Sequence, residues 1–492
     1  MLTPPNPDTA RRLREYLAEV GYREAGIVEA LGNLDPPLPA LRNLPRLLAR
    51  SAEPTPLNLL LRWFYGVVAV PRREAATVLP ADILDALVDT GMLRAEGEAL
   101  HPTLLLVPMN DFWVASDTYQ HLAGEDAYHH VLTVNPTARQ LYRFSLRETV
   151  DTALDLGAGG GIQALGLAAH AERVSATDLN PRASQYAAFN AALNGFDNIE
   201  CLTGDCYAPV AGRRFQHIVC NPPFVLTPDR RFLYRDNDLE LDGLVQRVIR
   251  EGADHLEEGG IMQVILEWVA HAGEDWHERV SDWCRGLGCD AWLFKAYTQA
   301  PDWYALSRLR ETPLADPGGD ADSYQSWMDY YHRHGIENIH GGLLLLRRRH
   351  GDNWLELEEL DDTPEGNFGD LVRRRLDARD FLMESADWQA RLLTTPLQLA
   401  PEARLIQECV REGAGWRTLA IKLQSVRPMA QPVALDGAVA QFLGSLDGEA
   451  PLATRLAEFC ARLGVAEAQV RDDCLQNMRH LLLRGLAVTG KG

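Results

Sequence analysis

Between residues 106 and 360, short apolar runs typical of strands alternate with segments of helical periodicity. The strand candidates are TALDL (152–156), RVSATD (173–178), NIECLTGD (198–205), FQHIVC (215–220), GIMQVIL (260–266), AWLFKAY (291–297) and GGLLLLRRR (341–349). Because alternating strands and helices build parallel sheets covered on both faces, the pattern predicts a Rossmann-like, doubly wound α/β domain. Residues 310–340 break the alternation with Pro, Gly and aromatic residues and are predicted to form an insertion over one edge of the sheet.

Two mainly helical regions flank this segment, so the sequence predicts three domains: 1–105, 106–360 and 361–492. In the first, LPADILDALVDTGMLRAEGEALHPTLLLVP indicates a helix ending near Thr90 and two short strands, an order that resembles a winged-helix unit. In the last, leucine and alanine recur at helical spacing, which predicts a helical or winged-helix-like domain.

Composition excludes several classes of protein. No run of 18 or more apolar residues is present, and the first 15 residues lack the apolar core of a signal peptide, so no membrane association is expected. The eight cysteines are scattered and form no CxxC pair, which indicates reduced thiols in a cytoplasmic protein and no metal site. The net charge of −21 weakens non-specific attraction to nucleic acid, although a local basic patch can exist within an acidic protein.

The stretch LDLGAGGGIQALGLAAH leads from a predicted strand into a helix. Asp155, Gly157, Gly159 and Gly161 form a D-x-G-x-G-x-G loop, in which glycines permit tight turns and close approach of a ligand to the backbone. Ile162 stands where the dinucleotide fingerprint has its last glycine, so that fingerprint is not matched. An acid beneath the loop suits a cationic ligand group better than a pyrophosphate.

Two further acids end the next strands. Asp178 lies 21 positions after Gly157, where a carboxylate can accept hydrogen bonds from both ribose hydroxyls. Asp205 closes the third strand, with Cys206 beside it, and could approach an adenine amine. Asp155, the glycine loop, Asp178 and Asp205 thus follow one another in this order. Together they make a purely structural role for these glycines and aspartates a poor explanation.

Residues 150–270 therefore resemble the class I S-adenosylmethionine-dependent methyltransferases, through DLGAGGG, ATDLNP and GD. The resemblance implies a seven-stranded sheet whose last strand is antiparallel, with S-adenosylmethionine as cofactor. It places Asp155 and the glycine loop near the methionine part, Asp178 on the ribose, and Asp205 near adenine. It also implies that the segment HHVLTVNPTARQLYRF lines the methionine end, through Thr133 or Asn135.

The fourth strand ends in Cys-Asn-Pro-Pro-Phe, and the prolines force the chain out of regular structure at Asn221. If this strand lies beside the first, Asn221 projects towards the donor methyl group. The Asn221 side-chain oxygen and the Pro222 carbonyl could then each accept one N–H of a planar –NH2 group, which aims the nitrogen lone pair at the methyl carbon. Phe224 offers a ring on which a planar substrate can stack.

This motif resembles the N-P-P-aromatic motif of amino-methylating enzymes of the methyltransferase small-domain group, which include rRNA guanine and release-factor glutamine methyltransferases. Three functions remain open. An RNA-base N-methyltransferase is favoured by Phe224 and the winged-helix-like flank. A protein glutamine methyltransferase is favoured by the net charge of −21, although Phe224 replaces the tyrosine more usual there. An inactive binding scaffold is opposed by the intact acids and Asn221.

Overall fold

A computed structural model describes residues 2–32, 43–310, 317–360, 366, 368–384, 387–426 and 432–490. The chain divides into two compact units, Met1–Tyr142 with Glu148–Leu357, and Arg143–Arg147 with Glu358–Gly492. We retain the predicted division into three domains, 1–105, 106–360 and 361–492, as a proposal. The first unit contains most of the residues of the first two proposed domains.

The N-terminal part of the first unit contains six helices and five short strands among its described residues. They are α1 (Pro7–Glu19), α2 (Glu24–Leu31), α3 (Leu44–Arg50), α4 (Pro56–Phe64), β1 (Val70–Pro71), α5 (Arg72–Val78), α6 (Ala81–Asp89), β2 (Leu93–Glu96), β3 (Ala99–Pro102), β4 (Leu105–Met109) and β5 (Phe112–Ser116). From α4 to β3, the element order and the antiparallel sheet order β1-β3-β2 are those of a winged-helix unit, as the sequence predicts.

The rest of the first unit forms one large sheet with its helices. Its elements are α7 (Pro136–Phe144), β6 (Val150–Leu156), α8 (Ile162–Ala168), β7 (Ala171–Asp178), α9 (Pro181–Asn194), β8 (Ile199–Thr203), β9 (Phe215–Cys220), α10 (Gly243–Asp254), β10 (Leu256–His271), α11 (Trp276–Cys284), β11 (Cys289–Gln299), α12 (Pro301–Arg310), α13 (Pro317–Arg333), β12 (Ile336–Arg348) and β13 (Leu355–Glu359). All seven predicted strands are present. β13 is an additional strand that the sequence analysis does not predict.

The strand order is β13-β11-β12-β10-β9-β6-β7-β8. Strands β6 to β10 run parallel, whereas β12 is antiparallel to both of its neighbours, β10 and β11. The predicted Rossmann-like, doubly wound fold is therefore confirmed, including the position of β9 beside β6. Helices α1 and α9 pack together, and the helices before β4 share one hydrophobic core with β5 and α9.

The predicted insertion is only partly as expected. Helices α12 and α13 connect β11 to β12, and residues 311–316 lie outside the described part of the chain. The helices do not cover an outer edge of the sheet: they contact β12, an inner strand, and the segment that follows β9. The reason is that their buried aromatic side chains carry hydroxyl and indole groups, which need buried hydrogen-bond partners.

The second unit contains α14 (Gly369–Met383), α15 (Trp388–Thr394), β14 (Pro396–Leu399), β15 (Ala403–Glu412), β16 (Gly415–Ser425), β17 (Val433–Leu435), α16 (Gly437–Leu443), β18 (Asp447–Pro451), α17 (Leu452–Leu463), α18 (Arg471–Leu483) and β19 (Ala487–Thr489). Its helices follow the predicted leucine and alanine periodicity. Its strands, in the orders β18-β14-β19 and β15-β16-β17, are additional to the prediction. Leu397, Leu452 and Leu481 belong to the core of this unit.

No described helix of either unit combines the length and the apolar composition needed to cross a membrane. All eight cysteines are free thiols.

Candidate active site

A cavity of about 380 Å³ opens where β6, β7, β8 and β9 end, the edge at which open α/β sheets bind their ligands. Seven of the ten predicted site residues line it, namely Asp155, Gly157, Gly159, Asp178, Asp205, Cys206 and Asn221. The other three, Gly161, Pro222 and Phe224, are not in its wall, and Phe224 is buried. Direct ligand contact by these three residues stays a prediction.

The register of the sheet brings the glycine loop and the Asn-Pro-Pro-Phe turn together. Leu156, the last residue of β6, pairs with Cys220, the last residue of β9. Gly157 and Asn221 therefore leave the sheet side by side, and a Cβ atom on Gly157 would lie 3.9 Å from the Asn221 carbonyl oxygen. The two motifs, 60 residues apart in sequence, form one edge of the cavity.

The glycines of the loop adopt backbone conformations that other residues rarely take. Gly157, Gly159 and Gly161 have φ values of +70°, +54° and +79°. Gly161 has a second constraint, because a Cβ there would lie 3.1 Å from the Cβ of Ala187 on α9. Gly161 thus allows the start of α8 to approach α9, which explains the residue without direct ligand contact.

Asp178 fixes the loop from the end of β7. Its carboxylate accepts hydrogen bonds from the Gly159 N–H at 2.7 Å and the Asn180 N–H at 2.8 Å. Burial raises the pKa of Asp178, although these two N–H groups lower it in part. A carboxylate has more acceptor positions than the two that these donors use, so Asp178 can still accept from a ligand in the cavity.

Asp155 lies beneath the loop and is buried to 1% exposure. Burial raises its pKa to about 7, while the Ala164 N–H, which donates to it at 2.8 Å, acts in the opposite direction. The nearby carboxylate of Asp178 raises the pKa further. Asp155 is therefore poised to lose its proton near neutral pH when a cation approaches.

This pKa predicts how pH affects stability. Because the folded-state pKa of about 7 exceeds the unfolded value of 3.8, the free energy of unfolding should fall as pH rises from about 4 to about 7. Asp155→Asn keeps an acceptor for the Ala164 N–H and removes this titration. We expect thermal unfolding between pH 5 and 8 to show the wild type losing stability relative to Asp155→Asn. Parallel pH profiles for the two proteins would contradict the buried, titrating carboxyl.

Asp205 and Cys206 line the cavity beyond the end of β8. The Asp205 carboxylate pairs with Arg247 of α10 at 3.0 Å, and both side chains are partly exposed to solvent. Cys206 has a φ of +44°, a left-handed conformation that costs a non-glycine residue about 1–2 kcal/mol. Burial raises the pKa of the Cys206 thiol to about 12, so it is neutral at physiological pH. Strain of this kind is concentrated at functional sites.

Asn221 is half-buried, and among the described residues no hydrogen bond involves its carboxamide. The turn after it is held by Asn237, whose side-chain amide donates to the Pro223 carbonyl at 2.9 Å. Asn237 in turn accepts the Leu239 N–H at 3.0 Å. The carboxamide of Asn221 is thus available to a ligand on a turn that is fixed from behind.

The segment from Val225 to Asp242 forms a wall of the cavity that the sequence analysis did not predict. Its cavity-lining residues are Arg230, Leu233, Tyr234, Asp236, Asn237, Asp238 and Leu239. No local motif marks them, because their position depends on contacts far along the chain.

Helices α12 and α13 anchor this segment. Leu226 donates its N–H to the Tyr304 hydroxyl at 3.2 Å, and its carbonyl accepts from the Tyr331 hydroxyl at 2.7 Å. The Trp327 indole donates to Asp229 at 2.8 Å. Tyr304 also donates to Glu267, a buried acid on β10. The aromatic residues of the insertion therefore hold the cavity wall rather than form it.

The segment before α7 supplies a further part of the cavity wall. Thr133 and Asn135 line the cavity, as the family resemblance implies, and so does His130. The Thr133 hydroxyl oxygen and the His130 Nδ1 atom are buried without a hydrogen-bond partner. Burial lowers the pKa of His130 to about 4, so the ring is neutral at physiological pH. Such unpartnered buried atoms are expected where a ligand completes a site.

His130 also belongs to a cluster with Asp117 and His121, whose potential ligand atoms lie within 4.8 Å of one another. The sequence analysis missed this grouping because the three residues share no recognised metal-ligand spacing. The Asp117 carboxylate is already used by Arg182, by the Tyr186 hydroxyl at 2.8 Å and by the Val131 N–H at 2.9 Å. A metal cation would face the Arg182 guanidinium, so these contacts disfavour a metal site here.

The residues of the cavity fit S-adenosylmethionine. Buried Asp155 suits a group that carries a positive charge, and Asp178 and Asp205 offer acceptors for hydroxyl and amino groups. The unpartnered Thr133 hydroxyl oxygen and His130 Nδ1 are polar atoms without another role in the described structure. Gly157, Gly159 and Gly160 line the cavity, so a ligand can approach the main chain of the loop closely. The strand order together with this site defines a Rossmann-like methyltransferase.

Comparison with known proteins agrees with this class. Residues 137–274 match the family model described as methyltransferase small domain. The chain is 35% identical over 172 residues to the release factor glutamine methyltransferase of Deinococcus radiodurans. This alignment covers 30% of this chain and 61% of that protein. It is 33% identical over 223 residues to the release factor glutamine methyltransferase of Xylella fastidiosa, covering 42% of this chain and 74% of that protein.

A third relative is the ribosomal RNA small subunit methyltransferase C of Alcanivorax borkumensis, which is 30% identical over 112 residues, or 23% of this chain and 31% of that protein. The chain belongs to the methyltransferase small-domain family. The family and the enzyme class that the sequence analysis predicted are thereby confirmed.

Proposed function

We propose that the protein is an S-adenosylmethionine-dependent N-methyltransferase whose acceptor is a planar amino or amide nitrogen, and that the acceptor is a base of RNA. The observation that carries the proposal is the free carboxamide of Asn221, which lies beside the glycine loop in the wall of the cavity. The structure has the groups for positioning such a nitrogen. The free cysteines fit the expected cytoplasmic location.

The residues that would hold S-adenosylmethionine are those that line the cavity at the ends of the strands. Asp155 and the backbone of Gly157 and Gly159 would face the methionine part, Asp178 the ribose, and Asp205 with Cys206 the adenine. The bound cofactor supplies an electrophilic methyl group on a sulfonium centre. Burial of Asp155 and Asp178 strengthens their interaction with a ligand, because the surroundings screen charge less than water does.

Asn221 would position the acceptor. Its side-chain oxygen can accept one N–H of an –NH2 group, and the Pro222 carbonyl can accept the other. Two such hydrogen bonds fix the plane of the group and stabilise the positive charge that develops on nitrogen. Among the described residues, Tyr128 and Tyr234 are the phenol rings that line the cavity, and either ring offers a surface for a planar acceptor.

Two observations support RNA as the acceptor. The unit from α4 to β3 has winged-helix topology, a shape used for nucleic-acid and protein contacts. The A. borkumensis relative carries a name that refers to ribosomal RNA. The Phe224 side chain, which favoured RNA in the sequence, is buried at 7% exposure and does not line the cavity, so the structure adds no support from this residue.

A protein glutamine residue is the second candidate acceptor. The D. radiodurans and X. fastidiosa relatives, which align over longer stretches, are named for release-factor glutamine methylation. A glutamine side chain presents the same planar –NH2 group as an amino base, so Asn221 could position either. The net charge of −21 also suits a partner other than nucleic acid.

A labelling experiment separates these acceptors. Purified protein and S-adenosylmethionine with a tritiated methyl group are incubated with RNA and protein fractions from cells that lack the protein. We expect the RNA fraction to take up label, and nuclease digestion to release it as an N-methylated nucleoside. Label in a protein of the fraction, released as methylglutamine, would establish the second candidate. Uptake by neither fraction would contradict both acceptors.

The contact behind the catalytic turn leads to a separate prediction. In Asn237→Ala, the Pro223 carbonyl loses the hydrogen bond that measures 2.9 Å. The loss of one such bond costs about 0.5–1.5 kcal/mol, so we expect kcat to fall by about 2- to 12-fold. The affinity for S-adenosylmethionine, measured by calorimetry, should stay unchanged, because Asn237 supports the turn that is proposed to hold the acceptor and not the cofactor.

Asn353→Ala is a matched control, because the exposed Asn353 side chain also donates to a backbone carbonyl, that of Arg349 at 2.9 Å, and does not line the cavity. Its kcat should equal that of the wild type. An unchanged kcat in Asn237→Ala would show that the turn keeps its shape without this contact.

A further inference from the structure

The longest antiparallel hairpin of the second unit consists of β15 and β16. Its register runs from Ala403 opposite Ser425 to Glu412 opposite Gly415, with a turn at Gly413, whose φ is +60°. At about 3.3 Å per residue, the ten residues of β15 extend roughly 30 Å. All residues from 404 to 419 are exposed, whereas Leu423 near the base is buried in the core of the unit. The hairpin is therefore anchored at its base and solvent-accessible on both faces.

The exposed part of the hairpin carries large apolar side chains. Trp416 is 75% exposed, and Leu405 and Leu419 are 50% and 52% exposed. Ile406 and Val410 are also exposed. Clusters of exposed apolar side chains of this kind mark interaction sites, since an isolated two-stranded ribbon gains little stability from them in water. The hairpin thus has the character of a binding surface.

The charge of the hairpin is opposite to that of the whole chain. Its charged side chains are Arg404, Glu408, Arg411, Glu412, Arg417 and Lys422. Basic residues therefore exceed acidic ones by two here, in a chain of net charge −21. Arg417 pairs with Glu412 at 2.9 Å, but Arg404, Arg411 and Lys422 have no ion pair among the described residues. Unpaired cations on an acidic protein point to an anionic partner.

The register places these cations beside apolar and aromatic groups. Arg411 is the cross-strand partner of Trp416, and Lys422 is the partner of Ile406. Cross-strand partners point to the same face of a ribbon. Arg411 is therefore next to a ring and Lys422 next to an aliphatic side chain, whereas Arg404 lies opposite Gln424. Rings and guanidinium planes stack on unpaired bases, and Arg and Lys bind phosphates, which together is the chemistry that binds single-stranded nucleic acid.

We propose that the β15–β16 hairpin is an arm that binds single-stranded RNA along both of its faces, with Trp416 stacking on a base beside Arg411 on one face and Arg404 and Lys422 contacting phosphates on the other. This inference rests on the proposed function, in which the acceptor is a base of RNA. It extends that function by naming the surface that recruits the substrate. A second copy of the chain is a weaker choice of occupant. If the edge strand β15 paired antiparallel with β15 of a second copy, with the centre of the pairing between Gln407 and Glu408, Arg404 of one chain would lie opposite Arg411 of the other. These like charges would repel each other.

The test uses the full chain and a fluorescein-labelled single-stranded RNA of 20 nucleotides and mixed sequence. Fluorescence anisotropy measures Kd for the wild type, Trp416→Ala and the double variant Arg404→Glu/Lys422→Glu. Because stacking on one aromatic side chain contributes ~1–3 kcal/mol per base, we expect Trp416→Ala to weaken binding by about 5- to 150-fold. The double variant should also lower the slope of log Kd against log salt concentration by about 1.4, since two phosphate contacts are lost.

Arg285→Glu is the matched control, because Arg285 is an exposed arginine of the first unit outside the hairpin. It should bind the RNA within about 2-fold of the wild type, and circular dichroism should show that all variants stay folded. Equal Kd values for the wild type and both hairpin variants would overturn the proposal, as would a wild type that does not bind the RNA. Sedimentation that shows dimeric wild type and monomeric Trp416→Ala, with unchanged RNA binding, would assign the hairpin to self-association instead.

The labelling experiment distinguishes this failure from failure of the proposed function. Methyl uptake into RNA with unchanged RNA binding by the hairpin variants would leave the function intact and remove the arm. Methyl uptake into protein alone, with RNA binding lost in the hairpin variants, would remove the proposed acceptor and leave the hairpin as an RNA-binding surface.

Discussion

Asn221→Ala should lower the turnover of the enzyme by about two to three orders of magnitude, since removing one preorganised contact to developing charge typically costs ~3 kcal/mol. The side chain lines the cavity and has no hydrogen bond to another described residue, so its loss should leave the fold and the cofactor affinity unchanged. Single-turnover transfer of labelled methyl to the accepting fraction measures the rate, and calorimetry with S-adenosylmethionine measures the affinity.

Asn221→Asp refines this experiment, because it keeps a side-chain oxygen acceptor and removes the amide donor. If acceptance of an N–H is the role of the side chain, Asn221→Asp should retain more activity than Asn221→Ala. The Asn353→Ala control should turn over like the wild type. Wild-type turnover in Asn221→Ala would refute the proposed positioning of the acceptor by this residue.

Asp178→Ala should weaken binding of S-adenosylmethionine by at least about 100-fold. The carboxylate holds the Gly159 and Asn180 N–H groups and is proposed to accept from the ribose, and a hydrogen bond to a charged group contributes about 1.5–3 kcal/mol. The variant loses ligand contacts and also the support of the glycine loop. At saturating cofactor the rate of methyl transfer should fall much less than the affinity, because Asp178 does not face the acceptor nitrogen in the proposed mechanism.

Asp282→Ala is the matched control, since Asp282 is an exposed acid that pairs with Arg285 and does not line the cavity. Its cofactor affinity should equal that of the wild type. Thermal unfolding with and without S-adenosylmethionine gives an independent readout, because a ligand that binds the folded state raises the midpoint. A wild-type midpoint shift in Asp178→Ala would show that this acid does not contribute to binding.

The identity of the fold was accessible from local sequence because its signals are short and repeated. Seven apolar runs gave the sheet, and the Asp-Gly loop and the Asn-Pro-Pro-Phe turn followed their strands directly. Parallel strands in register bring such strand ends together, so Gly157 and Asn221 had to meet once β6 and β9 were neighbours. The surroundings of Gly161 and Phe224 were less accessible, because the sequence does not show that Gly161 packs against α9 or that the Phe224 ring is buried.

The sequence by itself determined that β6, β7 and β9 form, that they end at Leu156, Asp178 and Cys220, and that acids and an amide stand at or just after the strand ends, because backbone preference and apolar period act over a few residues. Only the tertiary structure decided that the segment after β9 becomes a cavity wall, since Tyr304, Tyr331 and Trp327 reach it from helices 78 to 105 residues away. The same holds for His130 and for the exposed hairpin. Their positions depend on contacts between distant segments, which leave no periodic or local trace in the chain.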